Sequence, residues 1–235
     1  MDVIWQALLA SFSMLLTLDD RLFEVILLSL RVSLTALVFA SMIGLPVAAC
    51  LAFTRFPGRK IMLVTFNAMM GLPPVVVGLL VYLLLSRTGP FGVFNLLFTP
   101  TAMIIAQVVL VTPIIVSLSR ESLESMRDEY HDTLRSMGAT PTQAISVLVW
   151  DARFTLATAH VAGFGRAIAE VGAVMIVGGN IDHLTRVMTT TIALEASKGD
   201  LVVALGLGIV LVLLSLTINV LVHGLRSLGE ARAAS

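Results

Sequence analysis

Residues 121–153 read ESLESMRDEYHDTLRSMGATPTQAISVLVWDAR, a long charged stretch between two apolar segments. Gly138 interrupts its helical pattern. Pro141 then suits the first turn of a second helix, because the N–H that proline lacks would be unpaired there anyway. We therefore expect a helix that breaks at Gly138 and restarts at Pro141, outside the lipid.

The composition of the chain places almost everything else in a membrane. Of 235 residues, 57% are hydrophobic and 13% are charged. Soluble domains carry about 25% charged residues, and a soluble protein of this size could not bury so much apolar surface. The net charge of zero argues against a nucleic-acid partner. The sequence predicts an all-α, polytopic helical bundle in a lipid bilayer, with room for one domain.

Five apolar segments are long enough to cross the hydrocarbon core. A span needs about 20 such residues, because a helix pairs its backbone polar groups within lipid. The segments cover residues 25–53, 61–85, 96–118, 154–177 and 201–225. The shorter apolar run within residues 1–21 lacks the basic start and cleavage site of a secretory signal. We interpret it as an interfacial helix, with a sixth span as the alternative.

Glycine and proline interrupt the first two segments. Gly44 and Pro46 lie in the first, and the second contains GLPPVVVG at 71–78. Such residues are tolerated in lipid where neighbouring helices cover the freed backbone groups. They predict kinked and closely packed helices, or alternatively a moving hinge.

Lysine and arginine collect on one side of the predicted spans. The link after the first span contains Arg55, Arg59 and Lys60, and residues 119–153 contain four arginines. The links on the other side are poorer in both residue types. Because basic links stay in the cytoplasm, residues 119–153 and a tail at 227–235 should face inward and the N-terminus outward.

The segment around Gly138 resembles the cytoplasmic EAA loop of binding-protein-dependent ABC importer permeases. That motif starts with an acidic residue and two small residues and has glycine at its seventh position. Asp132 and Gly138 match it, whereas Thr133 and Leu134 replace the two alanines. The resemblance implies a coupling loop at 119–153 that contacts a separate ATPase subunit. The implied contact residues are Asp132, Gly138, Ala139, Thr140 and Pro141. An ordinary solvated loop is the alternative.

Further stretches are similar to the molybdate, sulfate and tungstate group of these permeases. They read GLPPVVVG at 71–78, GRAIAEVGA at 165–173, GGNI at 178–181 and TRVMTTT at 185–191, and the last two look most like tungstate permeases. The resemblance extends over residues 22–226, the expected transmembrane domain. It implies a type I importer permease in the cytoplasmic membrane of a bacterium or archaeon. It also implies two ATPase copies, an extracytoplasmic solute-binding protein and an oxyanion solute, for which the similarity favours tungstate.

Two further expectations concern assembly and energy supply. Five spans make only half of a substantial pathway, so we expect a homodimer. A Walker A loop needs G-x-x-x-x-G-K-[ST], and neither Lys60 nor Lys198 lies in such a sequence. We expect no enzyme activity and no cofactor bound by this chain, with ATP held by the partner subunit. The four histidines are scattered and predict no metal site.

Arg166 and Glu170 are charged residues within the fourth predicted span. They are four apart and can pair on one helix face, to which Gly163 and Ala173 add small residues. Intramembrane charge costs a few kcal/mol and usually faces a protein interior or a watery cavity. We predict that the pair lines the translocation pathway or a gate. A pair that merely locks two helices together is the alternative.

The polar segment at 180–200 is expected on the outer side. Thr185, Arg186 and Thr189 carry donors of the kind that hold tetrahedral oxyanions. We predict that they contact the binding protein or the released anion, with a surface loop of no ligand role as the alternative. Two other classes stay open for the whole chain. An ion-coupled secondary transporter would use Glu170 and need no ATPase, and a membrane scaffold would transport nothing.

Overall fold

The computed structural model describes residue 5 and residues 20–233. Between residues 20 and 233 the regular structure is α-helical, apart from one 3-10 turn, and this part contains no strand. The helices are α1 (Asp20–Phe53), α2 (Arg59–Met69), α3 (Pro74–Leu85), α4 (Pro100–Ser136), α5 (Pro141–Asp151), α6 (Arg153–Ile168), α7 (Gly172–Gly178), α8 (Met188–Lys198) and α9 (Leu201–Ala233). The all-α prediction is confirmed. Most of the predicted interfacial helix at 1–21 lies outside the described residues.

Three helices are individually long and apolar enough to cross a membrane. They are Leu22–Phe53 within α1, Pro100–Tyr130 within α4 and Leu201–Leu221 within α9. α2 with α3, and α6 with α7, pass the same test only as pairs, bent by 105° and 56°. If each bent pair is one span, residues 20–233 contain the five predicted spans.

The kink predicted within the span at 61–85 is a complete break between two helices. α2 ends at Met69 and α3 begins at Pro74, after Pro73 with extended backbone (φ −63°, ψ 123°). Proline lacks the N–H that would continue a helix, and it pushes the residue before it out of the helical region. The fourth predicted span is likewise broken, between Ile168 and Gly172.

α4 is the central helix of the bundle. It has 37 residues, packs most extensively against α1 and also contacts α2, α3, α5, α6 and α7. Three buried apolar clusters follow one another along it, centred on Met103, Ile115 and Leu123. α4 continues to Ser136, so the first half of the predicted loop at 119–153 is an extension of a span.

The predicted helix break at Gly138 is confirmed. Gly138 has φ +72°, a left-handed conformation that costs other residues about 1–2 kcal/mol. Thr140 caps α5, because its Oγ1 accepts the N–H of Gln143 and the Gln143 side chain accepts the N–H of Thr140. Pro141 begins α5, as predicted.

The far end of the chain differs from the prediction in one respect. α9 extends to Ala233, so residues 227–233 of the predicted tail continue the last span as helix. A long helix of good helix formers needs no break where it leaves lipid, because its backbone is already paired.

Gly78 sets the closest approach between α3 and α7. A Cβ atom on Gly78 would lie 2.6 Å from the Cα atom of Ala173 and 3.1 Å from its carbonyl oxygen. Backbone atoms cannot rotate away as a side chain can, so this crossing requires glycine. Small residues at such contacts are the usual means of close helix packing in lipid.

We expect Gly78→Ala to destabilise the protein by about 1–3 kcal/mol through overpacking. Gly208→Ala is the matched control, because an added Cβ there has no neighbour within 4 Å. The measurement is the temperature at which detergent-solubilised protein loses its monodisperse peak on size exclusion. Equal midpoints for the two variants would contradict the close crossing.

Candidate functional site

Residues 132–151 form an exposed segment at one end of the bundle, which we call the elbow. Asp132, Gly138 and Thr140 are exposed, and Ala139 is half-buried. Large apolar side chains protrude beside them, since Met137 is 77% exposed and Val147 47% exposed. Exposed apolar groups within a charged segment are typical of a protein contact surface.

The segments on either side of the elbow are fixed to the bundle. A buried cluster joins α1, α4 and the start of α6; its members are Ala52, Leu123, Ala152 and Leu156. Arg59 pairs with Glu124 and donates to the carbonyl of Leu51 (2.8 Å), and Arg127 donates to the carbonyl of Ala52. Arg59 and Arg127 come from the two links that charge assigns to the cytoplasm. Both links lie at the same end of the bundle, beside the elbow.

Glu170 lies in the break between α6 and α7, and its side chain is only 2% exposed. Its Oε1 accepts the N–H of Ala173 in the first turn of α7 (3.0 Å), and its Oε2 lies 3.5 Å from Nη1 of Arg166. A helix break leaves backbone N–H groups without partners, which is costly in lipid. The carboxylate pairs one such group and complements the dipole of the helix that follows.

Two further side chains pair carbonyls at this break. Nε2 of Gln107 on α4 donates to the carbonyl of Ala167 (3.0 Å), and Oγ1 of Thr189 donates to the carbonyl of Glu170 (2.8 Å). A small cavity of about 10 Å³ lies among them, lined also by Ser33. The sequence reasoning overlooked Gln107. The available signal was an amide inside an apolar span, a polar group that needs a hydrogen-bond partner there.

The prediction of one small and polar face on the fourth span is wrong. A Cβ on Gly163 would approach Val111 and Ile115 within 3.0–3.1 Å, so Gly163 permits close packing of α6 on α4. Ala173 lies beyond the break, against Gly78. The Arg166–Glu170 pair itself is present, and Arg166 is its half-exposed member, with 32% of its side chain accessible. Its role in a pathway or gate stays a prediction.

Thr185 and Thr189 are buried, which contradicts their expected exposure on an outer loop. Oγ1 of Thr185 donates to the carbonyl of Gly178 (2.6 Å) and accepts the N–H of Ile181 (2.9 Å). The Thr189 hydroxyl is bonded to the carbonyl of Glu170 (2.8 Å). The chain turns sharply after α7, and buried backbone groups at such turns need partners that a helix would have supplied. Within this subunit both hydroxyls serve the backbone.

Arg186 is the member of the predicted outer contact that reaches the surface. Its side chain is 25% exposed, with Nη1 2.7 Å from Oδ1 of Asp182. Nearby, Nδ1 of His183 lies 2.8 Å from Oε2 of Glu24 on α1. These four side chains line a cavity of about 180 Å³ together with residues of α8 and α9. The outer end therefore carries paired charges, whereas the elbow end carries the arginines bonded to α1.

Comparison with known proteins identifies the family of this chain. The tungstate uptake system permease proteins TupB of Peptoclostridium acidaminophilum and Campylobacter jejuni are 38% and 33% identical over 226 residues, covering 96% of this chain and 99% and 95% of theirs. A probable anion ABC transporter permease protein of Haloferax volcanii is 42% identical over 198 residues, covering 82% of this chain and 85% of that protein. The sequence model of the binding-protein-dependent transport system inner membrane component family matches residues 22–234. The chain therefore belongs to that family and is a multi-pass inner membrane transport permease.

Proposed function

We propose that this chain is the permease subunit of an ATP-driven importer for an oxyanion, with tungstate as the first candidate. The observation that carries the proposal is the similarity, over nearly the whole chain, to two tungstate uptake permeases. Molybdate and sulfate share the tetrahedral shape and double negative charge of tungstate. We assign selection among the three anions to the binding protein that delivers the solute.

ATP is bound and hydrolysed by a separate subunit present in two copies, and this chain binds no cofactor itself. The contact with the ATPase consists of Asp132, Gly138, Ala139, Thr140 and Pro141. Two features of the elbow support this assignment. It exposes apolar groups that a partner can cover, and the residues on either side of it are joined to α1 and α2 by an ion pair, a hydrogen bond and buried packing.

The working importer contains two copies of this chain and an extracytoplasmic binding protein. ATP closes the ATPase pair, the two elbows approach each other, and the paired bundles open outward to accept the anion. Hydrolysis and release reverse the change. Packed helices switch between discrete arrangements rather than deforming continuously, so the anchored elbow is suited to drive a transition of this kind.

Arg166 and Glu170 act at the gate of the pathway. A guanidinium is a strong donor to an oxyanion, and Arg166 is accessible where Glu170 is not. Glu170 accepts the N–H of Ala173 at the start of α7, so a displacement of Glu170 from Arg166 would also displace α7. At the outer end, Thr185 shapes the turn that presents Arg186 to the binding protein or the anion, and Thr189 supports the break at Glu170.

Uptake by the reconstituted importer tests the proposal. Proteoliposomes containing this chain, its ATPase and its binding protein should accumulate tungstate only when ATP is hydrolysed. A catalytically inactive ATPase is the control for leakage. ATP-independent uptake driven by an ion gradient, or ATP-dependent uptake of a cation in place of tungstate, molybdate or sulfate, would refute it.

Gly138→Val should uncouple transport, because valine resists the left-handed backbone that sets the elbow angle. The strain of about 1–2 kcal/mol corresponds to a 5- to 30-fold loss of ATPase retention and uptake. Gly138→Asn should lose less, since asparagine tolerates this conformation. Gly199→Val is the matched control at the outer end, because Gly199 also has positive φ and open space around its Cβ position. Equal ATPase retention by the two valine variants would remove the elbow from the ATPase contact.

Substitutions of the ion pair separate a gate from a structural lock. Arg166→Gln should reduce uptake while assembly and ATPase retention stay normal, and Arg166→Lys should recover part of the activity. Glu170→Ala should lower stability by about 1–3 kcal/mol, because the N–H of Ala173 and a half-buried guanidinium lose their partner. Normal uptake by Arg166→Gln would assign the pair to packing alone.

A further inference from the structure

A groove runs along the bundle surface between α1, α6 and α9. Its apolar walls come from Leu34, Leu37, Ala157, Val161, Phe164 and Ile218, and Arg153 and His160 complete it. Its volume is about 360 Å³, within the range of pockets that enclose small ligands. His160 turns its Nδ1 to the carbonyl of Leu156 (2.8 Å), so the groove is apolar along most of its length and charged at one end.

The length of the groove along the bundle matches the thickness of the cytoplasmic leaflet. Arg153 begins α6 at the end of the bundle where the arginines collect, which is the cytoplasmic end by the charge rule. From Arg153 to Phe164 the helix rises about 16 Å. Half of the hydrocarbon core is about 15 Å thick. The groove therefore extends from the cytoplasmic interface to the middle of the membrane.

Arg153 is held at that interface by aromatic rings. Its guanidinium carbon lies 4.8 Å from the ring centroid of Trp150 and 4.4 Å from that of Phe154. One of its N–H groups donates to the carbonyl of Trp150 (2.7 Å), and Asp151 lies at 3.9 Å. A guanidinium has five donors in a planar fork that fits a phosphate. These two contacts use fewer than five, so donors remain for a ligand.

We propose that this groove is a binding site for an anionic phospholipid of the cytoplasmic leaflet. One acyl chain lies against the apolar walls, and the headgroup phosphate accepts hydrogen bonds from Arg153. A polar solute would leave its own polar groups unpaired against these walls. A polypeptide segment could cover the walls but would supply no phosphate at the level of Arg153. The groove is charged at one end and apolar over the thickness of one leaflet. An anionic phospholipid has the complementary form, with a charged headgroup and an acyl chain of that length.

Lipid retention by the purified complex tests the site. Native mass spectrometry compares binding of phosphatidylglycerol and phosphatidylcholine, added in equal amounts to the detergent-solubilised importer. Arg153→Gln should lower phosphatidylglycerol retention about fivefold, the effect of one basic residue at an anionic surface. Ala157→Phe should lower retention of both lipids by filling the groove. Arg55→Gln, the same substitution at an exposed arginine outside the groove in the link that follows α1, is the matched control and should lower retention less than Arg153→Gln.

A photo-crosslinking residue at Val161 identifies the occupant independently of charge. Irradiation in membranes should add the mass of one phospholipid to the chain. A covalent dimer would assign the groove to a second copy, and an adduct within one chain would assign it to a segment of the same polypeptide; either result overturns the proposal. Equal retention of the two lipids by the unsubstituted complex, or unchanged phosphatidylglycerol retention by Arg153→Gln, also overturns it.

Discussion

The packing of α4 against α1 is the interaction on which the other features of this permease depend. α4 is one helix from the bundle core to the elbow, and buried clusters follow it through the membrane. Near one end it supplies Gln107 to the break between α6 and α7, and near the other it carries the residues bonded to α1. Packed interiors are dense and hardly compressible, so under the proposed mechanism α4 would transmit a shift of the elbow to the break between α6 and α7.

The polar residues inside the bundle follow from the cost of broken helices in lipid. Backbone groups freed at a break must find partners within the protein. Glu170, Thr189 and Gln107 supply them at the α6–α7 break, and Thr185 does so at the turn after α7. Broken helices near the bilayer midplane are also where many transporters bind solute. The half-exposed Arg166 lies beside a break of this kind. The break therefore contains both the carboxylate that caps α7 and an accessible positive charge.

The sequence predicts features that local chemistry controls. The break at Gly138 and the start of α5 at Pro141 follow from backbone preferences of glycine and proline, and the spans follow from hydropathy. The glycines and prolines of residues 71–78 predict a bend at Pro73, but its angle depends on the packing of α3 against α7. Burial of Thr185 and Thr189 escaped prediction because hydroxyl residues suit a loop and a buried turn equally well. The bond from Gln107 to Ala167 joins residues far apart in sequence, and periodicity carries no information on such contacts.

In the proposed importer, the ATPase contacts the elbow on the cytoplasmic side, and labelling of a single thiol tests this contact. A Cys50→Ala, Thr140→Cys variant places one thiol on the exposed start of α5, and an impermeant maleimide reports its accessibility. In intact cells the thiol should resist labelling from outside. In inverted vesicles it should react when the ATPase has been stripped and be protected when the ATPase is restored. Labelling from outside intact cells, or equal reactivity with and without the ATPase, would contradict the claim.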